Sequence, residues 1–177
     1  MESQTLTFRE LSIKTIVTHT ASYFIMGLIA VTFLGYSDRF ATPAFSSWMR
    51  SVDDPIVMTG PLFQPIRGLV FAMVFFPLRE VFFQRKNGWL VMFWMLVGIG
   101  IINPFAPPPG SIEGLIYTKI PLYDQLIGLL EVVPQAFLLS FVLFYWIENP
   151  EKRWISWVMW ALFVIIIVLM ILGILFG

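Results

Sequence analysis

The sequence predicts an all-α, polytopic integral membrane bundle. It forms one domain over residues 1–177, with about five transmembrane helices, the N-terminus in and the C-terminus out. Three observations carry this expectation. Apolar residues make up 58% of the chain and charged residues only 12%, where soluble domains carry roughly 25% charged residues. Mean hydropathy is +0.83, and the apolar residues fall into five runs separated by polar connections. The basic residues between the runs are also divided unequally between alternate connections.

Residues Met1 to Ser12 are polar and read as a surface segment or the first turn of a helix. The apolar run after them is too long for the core of a cleavable signal peptide. The first span is expected over 13–36. Thr15, His19, Ser22 and Met26 share one of its faces, with Thr18 beside them. Small hydroxyl residues in a membrane helix usually mark a contact with another helix. Ser37 to Pro55 is a polar connection holding Asp38, Asp53 and Asp54, part of it a short surface helix, with Trp48 suited to the membrane interface.

The second span is expected over 57–83. Pro61, Pro65 and Pro77 interrupt it, so the helix should be irregular or bent. Gly60, Gln64, Arg67 and Phe71 share an arc, and Arg67 lies about 10 residues, or about 15 Å, inside the span. After a turn rich in charge (Arg79, Glu80, Arg85, Lys86), the third span covers 89–102, where Gly98 and Gly100 should allow close backbone approach. The connection from Asn103 to Ile120 contains three consecutive prolines, which stiffen it. After Gly110 a short helix capped by Ser111 is expected. This loop is expected to fold over the bundle mouth as a lid carrying Glu113, Tyr117 and Lys119.

The fourth span, over 121–146, carries Glu131 near its middle. Asp124, Gly128, Glu131 and Gln135 recur at helical spacing and form one polar stripe, and Pro134 invites a kink. The fifth span, over 154–177, has no charged side chain. Trp154, Trp157 and Trp160 place its start near an interface, and it should be the most lipid-exposed helix. Orientation follows from counting. Arg9, Lys14, Arg79, Arg85, Lys86, Lys152 and Arg153 fall on one side, and Arg39, Arg50 and Lys119 on the other. The richer side is the inner one.

An unpaired charge at mid-bilayer costs roughly 2.5–3.5 kcal/mol on insertion scales. The expected answer is an Arg67–Glu131 ion pair, with Gln64 and Gln135 completing the hydrogen bonds. Such a pair serves either a solute or proton pathway or merely helix register. His19, the single histidine, would act as a proton relay in line with Glu131, or else bond a neighbouring backbone. Glu113, Tyr117 and Lys119 would gate or bind a headgroup, or simply face water. Asp53 and Asp54 read as a solvated turn, since half an acidic motif is too little for a metal. Arg79, Arg85 and Lys86 suit anionic headgroups as well as orientation.

Several classes are excluded by what the chain lacks. Formal net charge is zero and the basic residues are scattered, so nucleic acid is not an expected partner. With no Cys there is no thiolate chemistry or disulfide, and one His cannot supply bis-histidine haem or multi-His metal sites. No phosphate-binding Gly loop, nucleophile elbow or HExxH is present. No metal or cofactor is expected.

Three functions remain. The first is an oligomeric channel or transporter built around Arg67, Glu131, Gln135, Gln64, Asp124 and His19. The second is a structural or accessory subunit of a membrane complex. The third, ranked last, is an intramembrane lipid-acting enzyme using Glu131, Arg67 and His19 as acid, clamp and base. The expected partners are membrane lipids and either further copies of the chain or another membrane protein. The expected location is the cell membrane, multi-pass, of the bacterial inner-membrane kind.

Overall fold

The computed structural model describes residues 6–47, 49–51, 53–102 and 108–176. Every regular element among them is helical. Three helices are long and apolar enough to cross a membrane: Phe8–Phe33, Leu122–Glu148 and Arg153–Gly173.

The first, α1 (Phe8–Phe33), starts earlier than the hydropathy suggests. Thr7 caps it, its hydroxyl accepting from the Glu10 amide at 3.2 Å, and Glu10 then holds Lys14 at 2.7 Å one turn on. It also ends earlier. Gly35 adopts φ 62°, a left-handed conformation that costs glycine little, and the chain turns there. Tyr36 therefore opens a separate helix, α2 (Tyr36–Phe40), and is not the end of the first span. The surface connection continues through α3 (Pro43–Ser46) and α4 (Pro55–Met58). Trp48 lies outside the described residues.

The run 57–83 is not one helix. After α4 come a 3-10 turn (Gly60–Phe63), α5 (Gln64–Phe75) and α6 (Arg79–Phe83). The prolines explain the division. Pro61 and Pro65 sit in the first turns of the 3-10 segment and α5, where a missing N–H costs little. Pro77 falls between α5 and α6. With 12 residues, α5 is about 18 Å long, and α7 (Gly88–Ile102), with 15, is about 22 Å. Both are apolar, and both fall short of a hydrocarbon layer of about 30 Å. After α8 (Ile112–Tyr117), α9 (Leu122–Glu148) runs unbroken through Pro134, and α10 (Arg153–Phe176) closes the chain.

α1 is the hub. It packs on α5, α9 and α10, while α7 packs on α9 and α6. Its buried residues include Thr15, His19, Ser22 and Met26, the face read from the sequence. The close approach falls at Gly68, where a Cβ would stand 2.7 Å from the Ile16 Cα. Gly98 and Gly100, expected in that role, have nothing within 4 Å. One core joins Leu11, Phe75, Phe82, Met92 and Leu143; a second joins Val17, Ala21, Trp146, Ile155 and Met159.

These contacts define two ends. The starts of α1, α7 and α10 meet the ends of α5 and α9 at one, gathering Arg9, Lys14, Arg79 and Lys152 there. Arg39 and the start of α9 lie at the other. α10 has 17% of its most apolar stretch buried, against 44% for α1. It is the least buried of the three long apolar helices.

Candidate polar site along the central helix

Glu131 is the tenth residue of α9, about 15 Å along it. Its partner is not the expected one. The Tyr36 hydroxyl donates to Glu131 Oε2 at 2.5 Å. Among the described residues no Arg67–Glu131 ion pair forms within 4.0 Å. The broken second run explains this. The 3-10 turn restarts the helix at Gln64, so Arg67 sits in the first turn of α5, exposed and facing the middle of α1. Its guanidinium lies over the Tyr23 ring at 5.9 Å.

Asp124, one helical stripe before Glu131, is also answered from α2. Arg39 Nε lies 3.0 Å from Asp124 Oδ1, and Arg39 Nη2 donates to the Asp124 carbonyl at 2.6 Å. The Nε contact is an ion pair without hydrogen-bond alignment, so Nε and Nη1 stay buried without hydrogen bonds. Arg39 also lies over the Tyr36 ring at 5.7 Å. Thus Tyr36 and Arg39, three apart on α2, dock on Glu131 and Asp124, seven apart on α9. Gln135, next on the stripe, makes no hydrogen bond among the described residues. Neither Tyr36 nor Arg39 was among the expected site residues. Their signal was a tyrosine and an arginine at i, i+3 directly after the glycine that ends α1.

Gln64 and His19 form the second part. His19 Nε2 and Gln64 Oε1 are 3.1 Å apart, both residues being buried. Gln64 Nε2 donates to the Gly60 carbonyl at 3.0 Å, which leaves Oε1 as the acceptor. The network therefore assigns the proton to His19 Nε2. His19 Nδ1 is then an acceptor, buried and without a partner. Phe71 covers the ring edge-on, with centroids 4.8 Å apart.

The third part is a set of buried hydroxyls. Ser12, Thr15, Thr18 and Thr20 on α1 and Ser140 on α9 are buried, and none has a hydrogen-bond partner. Helical Ser and Thr often give their proton to a carbonyl one turn back. Ser22 does so to His19, Thr32 to Leu28 and Thr118 to Gly114. The five central hydroxyls do not. An unsatisfied buried hydroxyl costs about 1–3 kcal/mol. Five would approach the whole net stability of a typical domain, about 5–15 kcal/mol. Rotation onto a backbone carbonyl one turn back, or a bound water, would relieve that cost.

The loop expected as a lid packs against α7 and α9. Tyr117 and Lys119 are exposed and Glu113 half-buried; none touches Glu131 or His19. Ser111 caps α8 as expected, accepting from the Gly114 amide at 2.9 Å. The organiser is Gln125, which was not among the expected site residues. Its Nε2 donates to the carbonyls of Gly114 (3.2 Å) and Ile120 (3.1 Å), and its Oε1 accepts from the Gly110 amide. In the other connection, Asp54 caps α4 and pairs with Arg50 at 2.9 Å. The Ile56 amide, then the Arg50 guanidinium, hold its carboxyl below the usual range. That is the solvated turn read from the sequence. Among the described residues no group of three or more His, Asp or Glu gathers to hold a metal.

Comparison with protein-family models, with curated proteins and with solved structures returns no match.

Proposed function

We propose that the protein is a small membrane channel or transporter whose pathway follows α1, from the buried hydroxyls of Ser12 and Thr15, past His19 and Gln64, to the Glu131 stripe of α9. The observation that carries this reading is the set of buried, unpartnered hydroxyls together with His19 Nδ1. Sites able to bond a passing water or proton, but bonded to nothing in the protein, are what a hydrated path requires. Arg67, Gln135 and Asp124 would line its outer part. We place α5 and α7 in the bilayer as shorter elements beside the three long helices, giving five crossings with the N-terminus in. Seven basic residues at one end against three at the other support that orientation. So thin a bundle would complete its wall with further copies of the chain.

Reconstituted vesicles test this. Purified protein in liposomes, with an internal pH-sensitive dye and parallel potassium and sodium gradients, should give a flux above that of empty vesicles. Glu131→Gln and His19→Phe should lower it at least tenfold. Flux equal to that of empty vesicles would overturn the reading.

A second reading keeps a specific observation in its favour. Glu131 and Asp124 are already closed by Tyr36 and Arg39, a joint suited to a structural subunit of a membrane complex. Co-purification with one stable stoichiometric partner would favour it over the pathway.

A further inference from the structure

A cavity of about 310 Å³ opens at the basic end, between the first turns of α1 and α10, with Thr7, Arg9, Glu10 and Lys14 on one wall and Ser156 and Trp160 on the other. Ile13, Trp146 and Trp160 make much of its lining apolar, and its polar groups are mostly hydrogen-bond donors. Arg9 is exposed and has no ion pair or hydrogen bond among the described residues. Lys14 Nζ bonds Glu10 at 2.7 Å and lies over the Trp146 ring at 5.8 Å. The hydroxyls point the same way. Thr7 Oγ1 accepts from the Glu10 amide, and Ser156 Oγ accepts from Trp146 Nε1 at 2.9 Å. Each keeps its own proton to give. Glu10 is the single acceptor with a charge, and Lys14 neutralises it. Two cations against one carboxylate leave one positive charge. The starts of two long helices also face the cavity, adding positive dipole ends.

We propose that this cavity binds the phosphate of an anionic phospholipid headgroup. Arg9 supplies the free charge, Lys14, Thr7 and Ser156 supply further donors, and Trp160 flanks the glycerol region at the interface. The acyl chains then run down the exposed apolar side of α10. A lipid, and not free phosphate, is the occupant because the donors ring a recess beside the least buried of the three long apolar helices. The site is independent of the transport reading, since it lies at the opposite end from Glu131 and uses none of its residues.

The test uses the full-length protein, delipidated in detergent and followed by native mass spectrometry and thermal unfolding. Phosphatidylglycerol should be retained and should raise Tm above the value with phosphatidylcholine. Arg9→Gln should weaken phosphatidylglycerol binding about tenfold and leave Tm without lipid unchanged, because Arg9 has no bond to lose. Lys14→Met should weaken binding too and, by freeing Glu10, should lower Tm without lipid. Equal responses to the two lipids would overturn the proposal. So would an Arg9→Gln protein that keeps the full phosphatidylglycerol effect, or inorganic phosphate alone reproducing it.

Discussion

Tyr36 and Glu131 are separated by 95 positions in sequence and joined by a 2.5 Å hydrogen bond. A bond to a charged acceptor contributes about 1.5–3 kcal/mol. Tyr36→Phe should therefore lower unfolding stability in detergent by that amount, measured by thermal or denaturant unfolding; an unchanged midpoint would show that the bond carries no energy. Gln125 makes a comparable case. Gln125→Leu would leave the Ile120 carbonyl and the Gly110 amide without their partner, at about 1–3 kcal/mol each if they stay dry, while the Gly114 carbonyl keeps the Thr118 hydroxyl. The connection at 108–120 should then become the first site cut by limited proteolysis. Glu131 was legible in the sequence because a carboxylate in an apolar run is costly wherever it sits. Its partner was not, because depth alone does not say which way a side chain faces. Arg67 turns to Tyr23 on α1, while Tyr36, expected at the end of the first span, opens α2 and reaches Glu131.

At the scale of elements, the prolines decide most of what differs from the expectation. Pro61, Pro65 and Pro77 were read as bends; they divide the second run into separate pieces, because each is tolerated only where a helix begins or has ended. Pro134 does the reverse and sits inside an unbroken α9. The face of α1 was legible, since four buried positions repeat at helical spacing. The glycine contacts were not, because a sequence shows where backbone can approach and not what approaches it. Gly68 and Gly98 separate the two cases. Gly68→Ala should destabilise by about 1–3 kcal/mol, since its Cβ would meet Ile16 backbone. Gly98→Ala should be neutral or stabilising by up to about 1 kcal/mol, since it meets nothing and gains helix propensity. Parallel unfolding of the two variants checks the packing of α5 on α1 directly.

For the whole molecule, the class was the most legible feature. Composition and run length reach the all-helical class and three of the five expected spans as long apolar helices without any knowledge of contacts, because a bilayer constrains length and polarity more tightly than packing does. The polar interior was only half legible. The hydroxyls of α1 looked like ordinary helix–helix contacts, and their lack of partners is a property of the assembled bundle. That property supports the account of function, so hydration of the interior is its central claim. The chain contains no Cys, so single cysteines can be placed without background. Thr18→Cys and Ser140→Cys, with Val158→Cys on the exposed face of α10 as the control, should be treated in intact membranes with a charged, membrane-impermeant thiol reagent. Labelling at 18 and 140 but not at 158 is the result the account predicts. Labelling at neither interior position until the protein is denatured would mean a dry bundle, and would contradict it.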